Sequence, residues 1–510
     1  MDFQSLDTTP STPVHPARAG RVVVGVIAAL GSAALFYFGT GFAPMAALAW
    51  LAPLPVLFMA PRVPPTAAAV MAFFGYFLGT VNEWGFFLHS HDEPLSLGLT
   101  VAGGCALVFM LLTLLFRGLI LRGRPVLAVL AAPALWTGAL SLVVRYSPTG
   151  ILGTPATGQT ALPMLIQTAS VTGFLGIEFL VLLVPCVLAA LAAPGEVRPV
   201  ARVRTLVLAA VLAGLVLGGG ALRLALARPS GPAEHVALVT STNPAWAPDL
   251  ATQAGTSLLD GYAQRISTVP AGTQLVVLPE GAFTTNGTGL ATLVGKLGPI
   301  ATDRNVTIVV GIVETAGTSV DNIALSIEPN GNTTNYLKWH DQVATKGHQL
   351  VNPQLAGAKL GVEVCADVDF TNPSRGYAQG GAQLLAIPAS DEGADGLEHA
   401  RTAQLRGAEN GVGIAWADRD GTMLISDGFG NVVAQSDSAT APGQFAVLTG
   451  AVPANPGTTL YTRFGDWFGW LSLGLALLGL LASFVPARTR TAPSATVNAP
   501  KFDTLVGSGT

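Results

Sequence analysis

Long apolar runs dominate the first 228 residues of the chain, and one more run lies near its end. Each of the eight runs approaches the roughly 20 residues with which a helix crosses a bilayer. The runs cover residues 21–40, 43–60, 67–88, 95–116, 125–144, 171–192, 205–227 and 464–485. The second run contains Pro53 and Pro55, which predict a kinked or re-entrant segment. The pattern therefore predicts a multi-pass α-helical membrane domain with about eight spans, seven of them within residues 21–228.

Between the seventh and eighth runs, residues 229–459 have a different pattern. Short β-branched runs predict strands, and longer mixed segments between them predict helices. Strands are predicted at residues 235–240, 274–278, 307–313, 321–327, 359–364, 384–388, 412–417, 422–426 and 445–450, and helices at 247–269, 290–304, 377–381 and 398–410. Asn330 with Gly331, and Asp420 with Gly421, are typical of hairpin turns. The segment is therefore predicted to be one layered α/β domain with sheet inside and helices outside.

Composition agrees with a membrane protein. Of the 510 residues, 50% are hydrophobic and 11% are charged, whereas soluble proteins average about 25% charged residues. The mean hydropathy is +0.53 and the net charge is −4. These values exclude a simple cytosolic enzyme, a disordered protein and a nucleic-acid binder. Three cysteines are too few for a disulfide framework, and the sequence has no zinc-ligand cluster, phosphate loop or dinucleotide fingerprint, so we expect no cofactor and no metal.

Lysine and arginine collect in alternate loops between the predicted spans. These residues are Arg18, Arg21, Arg62, Arg117, Arg122, Arg124, Arg198, Arg202, Arg204, Arg488, Arg490 and Lys501, whereas residues 89–94 and 147–170 contain none. Because cytoplasmic loops carry an excess of basic residues, both tails are predicted to lie inside and residues 229–459 outside. The tails, residues 1–20 and 486–510, are rich in Pro, Ser, Thr and Ala and are predicted to be disordered. The predicted location is the cell (inner or cytoplasmic) membrane, with an extracytoplasmic soluble domain.

A transporter would need ionisable groups near the middle of the membrane. The main candidates, Glu83 and Glu178, lie toward the outer ends of their predicted spans. An anchor, or a lipid-facing platform that supplies the outer domain, is therefore favoured over transport.

Three chemically distinct residues follow strand-like segments of the outer domain, where active-site side chains of α/β folds often lie. Two of these segments are the predicted strands 274–278 and 359–364, and the third is the short stretch Asn335-Tyr336-Leu337. Glu280 offers a base, Lys338 a cation and Cys365 a nucleophile. A thiol reacts as its thiolate, a carboxylate can accept the thiol proton, and an ammonium can stabilise the resulting anions. Cys365 is the only cysteine within residues 229–459. A buried packing role remains the alternative for each residue taken alone.

Four short motifs follow one another along the outer domain. They are Val277-Leu278-Pro279-Glu280, Tyr336-Leu337-Lys338-Trp339-His340, Gly361-Val362-Glu363-Val364-Cys365, and Glu398-His399 followed by Arg406-Gly407-Ala408-Glu409. In this order they resemble the carbon–nitrogen hydrolase (nitrilase) superfamily. With seven spans before the domain and one after it, the chain resembles the apolipoprotein N-acyltransferase family, the membrane-embedded branch of that superfamily. The resemblance implies a nitrilase-like α-β-β-α sandwich with a Glu-Lys-Cys triad.

The resemblance also implies a ping-pong acyl transfer. Cys365 would be the nucleophile that takes an acyl chain from a membrane phospholipid as a thioester. The acceptor would be the N-terminal amine of a diacylglyceryl-modified apolipoprotein. Glu280 would be the general base, and Lys338 would stabilise the thiolate and the oxyanion. Donor and acceptor both reside in the bilayer, which explains the membrane spans.

The sequence departs from the family pattern near the lysine and the cysteine. The family usually has a second glutamate after its lysine, and that position falls on Lys346 here. Asp341 or Glu363 is a candidate to replace this carboxylate. Glu363 lies two residues before Cys365, so on a strand the two side chains would share a face. Asp367 keeps the acid that usually follows the cysteine, and Trp246 lies near a tryptophan of the family's first loop. Two alternatives follow from these departures, namely an extracytoplasmic amidase with the same triad and a lipoprotein-binding pseudoenzyme.

Overall fold

The computed structural model describes residues 16–89, 94–194, 197–227, 232–242, 246–391, 393, 395–453 and 457–486. Of the two predicted tails, residues 1–15 and 487–510 lie outside the described residues. Residues 16–20, predicted to belong to the first tail, are already helical. Alanine and arginine are good helix formers, so the first helix extends beyond its apolar stretch.

The helices of the described residues include the long apolar segments of the chain. In chain order they are α1 (Pro16–Gly39), α2 (Ala46–Ala49), α3 (Leu54–Met59), α4 (Pro65–Phe77), α5 (Val81–His89), α6 (Leu95–Leu121), α7 (Pro125–Tyr146), α8 (Pro163–Ile166), α9 (Ala169–Thr172), α10 (Phe174–Leu191), α11 (Pro199–Ala225), α12 (Gln253–Ser267), α13 (Thr288–Arg304), α14 (Ser374–Gln379), α15 (Gly396–Asn410), α16 (Leu460–Phe464) and α17 (Trp467–Phe484). Within the described residues, six of them, α1, α6, α7, α10, α11 and α17, are long and apolar enough to cross a membrane. They match six of the eight predicted runs.

The other two predicted runs are not continuous helices. The second is divided into α2 and α3, and Pro53 precedes α3, which confirms the predicted break. The third, predicted as one run at residues 67–88, is α4 and α5 joined by the tighter turn Leu78–Thr80. At this turn Gly79 packs on α1 so closely that an added Cβ would lie 2.4 Å from the Cβ of Phe36. The count of eight spans therefore stays a prediction.

The later part of the chain contains the strands. In chain order they are β1 (Glu234–Ser241), β2 (Leu275–Val277), β3 (Phe283–Thr285), β4 (Thr307–Ala316), β5 (Ser319–Ile327), β6 (Thr333–Leu337), β7 (Leu360–Val362), β8 (Leu384–Ser390), β9 (Gly413–Arg419), β10 (Thr422–Ser426), β11 (Val432–Asp437) and β12 (Phe445–Val452). Each predicted strand is present, β10 with the predicted bounds and the others with at least one end shifted. The sequence did not predict β3 and β11, which are short or exposed, and it indicated β6 only through its last three residues.

Two sheets are formed within the described residues. The first has the order β12-β1-β2-β4-β5-β6, with β3 also pairing with β4, and the second has the order β11-β10-β9-β8-β7. In the first sheet, β1, β2 and β4 are parallel, with Leu238 opposite Val277 and Val277 opposite Val309. The two predicted hairpins are present as β5–β6 and β9–β10.

Alternation along the central strands buries both faces of the first sheet. Val236 and Leu238 of β1 contribute to the core shared with the second sheet. Ala237 and Val239 point the other way and pack in a core with residues of α12 and α13. The helices α14 and α15 cover the second sheet. The domain is therefore the α-β-β-α sandwich expected from the sequence.

Loops of the membrane part hold the sandwich directly. The backbone N–H of Ile151 donates to the carbonyl of Asp369 at 3.1 Å, in the turn that follows β7. The N–H of Phe174, at the start of α10, donates to the carboxylate of Glu409 at 2.6 Å. The side chain of Gln167 donates to the carbonyl of Phe429 at 2.9 Å. These contacts fix the end of β7 against the apolar helices.

Candidate active site

Glu280, Lys338 and Cys365 each follow a strand, and the structure brings them together. Glu280 comes just after β2 and its N–H donates to the carbonyl of Ala389 at 3.2 Å, which links the two sheets. Gly311 of the neighbouring strand β4 packs directly against Glu280. A Cβ added at Gly311 would lie only 2.5 Å from the Cα of Glu280. Only glycine permits this approach.

A buried ion pair joins two of the three residues. The ammonium of Lys338 donates to Oε1 of Glu280 at 2.8 Å, and the two residues are 7% and 3% exposed. Asn322 of β5 also donates to Oε1, at 2.7 Å, so Oε2 receives no hydrogen bond from the described residues. Burial by itself would lower the pKa of Lys338, but the negative charge of Glu280 and its hydrogen bond outweigh it and raise the pKa. Lys338 is therefore a fixed cation, and Oε2 of Glu280 is left to accept a proton.

Cys365 occupies an unusual backbone position. Its φ is +43°, a left-handed value that is costly for a residue with a Cβ and that often marks a functional site. The residue begins the short 3₁₀ turn Cys365–Asp369 at the end of β7. Burial, followed by the charges of Glu280 and Asp391, raises the pKa of the thiol, while Lys338 and the backbone N–H of Ser390 act in the opposite direction. The resting sulfur is therefore protonated and needs a base before it can attack.

Asp341 lies where a further carboxylate was expected. Its Oδ2 is 4.0 Å from the ammonium of Lys338 and accepts a hydrogen bond from Asn322 at 3.2 Å. Burial by itself would raise the pKa of Asp341, but backbone N–H groups, led by that of Ala344, together with Lys338 lower it, so this carboxylate is ionised. Lys346 is exposed and forms no ion pair with the described residues. Of the residues considered for this role, Asp341 contacts the site and Lys346 does not.

Asp367 connects the lysine strand to the cysteine turn. Its carboxylate accepts from the hydroxyl of Tyr336 at 2.7 Å, from the N–H of Val364 at 3.1 Å and from the N–H of His340 at 2.9 Å. Glu363, expected to share a face with Cys365, points elsewhere and accepts from the hydroxyl of Ser374 at 2.8 Å. The strand ends at Val362, so strict alternation does not continue to the cysteine. Asp367 therefore supports the site, and Glu363 does not.

Trp246 forms part of the rim beside Glu280. Its ring is 53% exposed and lies 4.8 Å from the guanidinium of Arg419, centroid to Cζ. It also covers Gly281, where an added Cβ would come within 2.6 Å of the ring. Trp246 is therefore positioned to contact a molecule that enters toward Glu280.

A second charged pair reaches the sulfur from the other sheet. The thiol of Cys365 donates to Oδ1 of Asp391 across 3.9 Å, and the same oxygen is 2.8 Å from Nδ1 of His399. On the other side of the ring, Nε2 of His399 is 3.4 Å from Oδ2 of Asp369. Sequence reasoning missed Asp391 and Asn322. Asp391 directly follows β8, so the rule that selected the other strand-end residues would have found it.

Asp391, Asp395 and His399 each offer a ligand atom, and these atoms lie within 4.8 Å of one another. That spacing would suit a metal ion. However, both ring nitrogens of His399 already lie against carboxylate oxygens, of Asp369 on one side and of Asp391 and Asp395 on the other. The residues around Cys365 offer a nucleophile, a base and a cation, which suffice for thioester formation at an acyl carbonyl.

Comparison with known proteins agrees with this division of the chain. A model of the carbon-nitrogen hydrolase family matches residues 235–451, and a model of the apolipoprotein N-acyltransferase N-terminal domain matches residues 32–187. Together these regions contain most of the chain, including the sandwich and much of the helical part.

The curated relatives include two proteins named apolipoprotein N-acyltransferase. The apolipoprotein N-acyltransferase of Gloeobacter violaceus is 27% identical over 377 residues, which cover 65% of this chain and 70% of that protein. The one from Geobacter metallireducens is 29% identical over 141 residues, covering 27% of this chain and 26% of that protein. Among solved structures, a nitrilase-superfamily amidase from a Nesterenkonia species is 22% identical with a TM-score of 0.38, covering 47% of this chain and 94% of that one.

Proposed function

We propose that this chain, which belongs to the apolipoprotein N-acyltransferase family, transfers a fatty acyl chain from a membrane phospholipid to the N-terminal amine of a diacylglyceryl-modified apolipoprotein. The observation that carries this proposal is the convergence of Cys365, Glu280 and Lys338 in a domain held against apolar helices. A soluble amidase would need neither the helices nor their direct contact with the cysteine turn.

In the first half-reaction, Oε2 of Glu280 takes the proton of the Cys365 thiol as the sulfur attacks the ester carbonyl of the phospholipid. The ammonium of Lys338 stabilises the thiolate and then the oxyanion of the tetrahedral intermediate. When the carbon–oxygen bond breaks, the proton on Glu280 passes to the departing oxygen of the lysophospholipid. The acyl chain remains on Cys365 as a thioester.

In the second half-reaction, the neutral amine of the acceptor attacks the thioester. Glu280 accepts a proton from the nitrogen while Lys338 again stabilises the oxyanion. The carbon–sulfur bond breaks, the sulfur recovers the proton, and an amide is formed. The same base therefore serves both halves, as a ping-pong mechanism requires.

Several side chains prepare this geometry. Asn322 holds Oε1 of Glu280 and so leaves Oε2 available for the proton. Asp341 adds a negative charge near Lys338, and Asp367 holds the lysine strand to the cysteine turn. Trp246 contributes to the rim. No metal or cofactor is needed for these steps.

The topology that suits this function places residues 21–228 and 464–485 in the cell membrane and the catalytic domain, residues 229–459, outside the cytoplasm. The alternating basic loops favour this orientation. Contact between Ile151 and Asp369 supports a cysteine turn close to the membrane, where both lipidated substrates reside.

Mass spectrometry of a lipoprotein N-terminus tests the proposal. We expect an additional amide-linked acyl chain when the protein is present with phospholipid and the diacylglyceryl-modified acceptor. The Cys365→Ala variant is the control and should leave the amine free. Release of ammonia from small amides without a lipid requirement would favour an amidase, and binding of the acceptor without acylation would favour a pseudoenzyme.

A further inference from the structure

Cys365 lies between two carboxylates, each of which has its own cation. Glu280 is paired with Lys338, whereas Asp391 is paired with His399, Oδ1 to Nδ1, at 2.8 Å. The proposed mechanism uses only the first pair. In the resting geometry, however, the thiol donates to Asp391 across 3.9 Å.

We propose that Asp391 holds the resting Cys365 thiol in its protonated form, and that His399, paired with Asp391, sets the strength of this effect. An anion beside a thiol disfavours the thiolate, and a cation paired with that anion weakens this effect. Because only the thiolate reacts readily with oxidants and disulfides, a protonated resting thiol stays intact until Glu280 removes its proton. The inference rests on the proposed function only in taking Cys365 as the nucleophile.

The position of His399 is fixed by its neighbours. Its ring lies between the carboxylates of Asp391 and Asp369 and stacks near Trp416, with ring centroids 6.1 Å apart. Burial would lower the pKa of His399, but the charges of Asp391 and Asp369 outweigh it and raise the pKa, so the ring is a cation. His399 does not contact the sulfur, so it is a positioning residue that acts through Asp391.

Other charged groups surround Asp391 and His399, and the variants of these two residues do not alter them. Those that act on Cys365, Asp391 or His399 are Glu280, Lys338, Asp369, Asp395, Glu398 and Asp418. Farther out, Asp341 and Asp367 act on Lys338, and Arg406 acts on Asp369. Glu363 is a buried carboxylate close in sequence to Cys365 but directed to Ser374. Glu363→Gln is therefore a matched control for the loss of a buried acid.

The test measures the rate at which iodoacetamide alkylates Cys365 in the purified full chain without lipid, from pH 6 to 10, by peptide mass spectrometry. Asp391→Asn removes the anion, so we expect the rate at pH 8 to rise by about tenfold or more, which corresponds to a fall of about one unit in the midpoint. His399→Gln leaves Asp391 uncompensated, so we expect the rate to fall by about tenfold. Glu363→Gln should not change it.

The two variants are expected to change the alkylation rate in opposite directions, which distinguishes an electrostatic role of Asp391 and His399 from a purely structural one. A loosened fold would expose the sulfur and raise the rate in both variants. An unchanged rate in folded Asp391→Asn, or a higher rate in folded His399→Gln, would overturn the inference. If a single variant does not fold, the double variant replaces both charges, and its rate should lie between those of the wild type and Asp391→Asn. A double-variant rate at or below that of the wild type would also overturn it. Because no lipid is used, failure of acyl transfer does not affect this result.

Discussion

The hydroxyl of Tyr336 donates to the carboxylate of Asp367 at 2.7 Å, and this hydrogen bond joins the strand that precedes Lys338 to the turn that begins at Cys365. Both groups are fully buried. The same carboxylate accepts from the N–H groups of Val364 and His340. The spacing of cation and nucleophile therefore depends on Asp367.

Asp367→Ala should destabilise the protein more than Tyr336→Phe. The tyrosine change removes one buried hydrogen bond, which is worth about 0.5–1.5 kcal/mol. The aspartate change leaves the Tyr336 hydroxyl and the Val364 N–H without an acceptor, and each buried unpaired group costs about 1–3 kcal/mol. Thermal unfolding in detergent micelles measures the difference, with Tyr37→Phe, an exposed ring on α1, as the control. Equal losses from the two buried changes would show that Asp367 has no special role.

Lys346→Glu should leave acyl-enzyme formation nearly unchanged, whereas Asp341→Asn should slow it. Lys346 is exposed, but Asp341 is 4.0 Å from the ammonium of Lys338 and shares Asn322 with Glu280. We expect about a tenfold loss for Asp341→Asn, equivalent to ~1.4 kcal/mol in the barrier. Single-turnover acylation of Cys365 is the measurement. A large gain from Lys346→Glu would mean that the lysine occupies the position of the missing carboxylate after all.

Stability should fall with rising pH because of Glu363. Burial, aided by the charge of Asp367, raises the pKa of Glu363 to about 8, whereas an unfolded glutamate titrates near ~4.3. Between these values the folded protein keeps a proton that the unfolded chain releases, so the free energy of unfolding decreases as pH rises through this window.

Glu363→Gln cannot titrate and removes this contribution. The unfolding temperature of the wild type should therefore drop more between pH 5 and pH 8 than that of the variant. Parallel curves for the two proteins over this range would show that Glu363 is ionised in the folded state.

The sequence singled out Glu280, Lys338 and Cys365 because each follows a short strand, which is local information. It could not show that β2 and β6 belong to one sheet and β7 to the other, so that the three residues meet between the two sheets. The layered α/β domain was likewise predicted from local information, since β1 and β2 are short runs rich in apolar, β-branched residues. The exposed strand β11 has no buried residue and was missed.

Other parts of the site depend on distant pairings that no local pattern shows. Asn322 reaches Glu280 only because β4 and β5 form a hairpin beside β2. Lys346 points outward because the N–H of the following Gly347 bonds the carbonyl of Lys338 at 2.7 Å, which fixes the loop. The third apolar run is interrupted at Gly79, which packs on Phe36 of α1, a contact that the composition of the run does not show. The sequence could therefore name Asp341 as a candidate carboxylate, but it could not show that Asp341 lies beside Lys338.

Reporter fusions should place the sandwich on the side opposite to the basic loops. A reporter joined after Asn286 should be active only outside the cytoplasm, whereas fusions after Arg62 and Arg124 should report the cytoplasm. The prediction follows from the alternation of basic loops along the chain. Cytoplasmic activity at Asn286 would reverse the topology and remove the lipidated amine from reach of Cys365.

Acylation of Cys365 is the central chemical claim. The purified protein is incubated with phospholipid alone and examined by intact-protein mass spectrometry, so the first half-reaction is isolated from the second. Cys365→Ala and Cys365→Ser should both show no thioester, and Glu280→Gln should slow acylation by about 10²–10⁴-fold, the usual contribution of a general base. We predict a fatty-acyl adduct on Cys365 that hydroxylamine removes; a folded protein that binds phospholipid yet never forms this adduct would contradict the account.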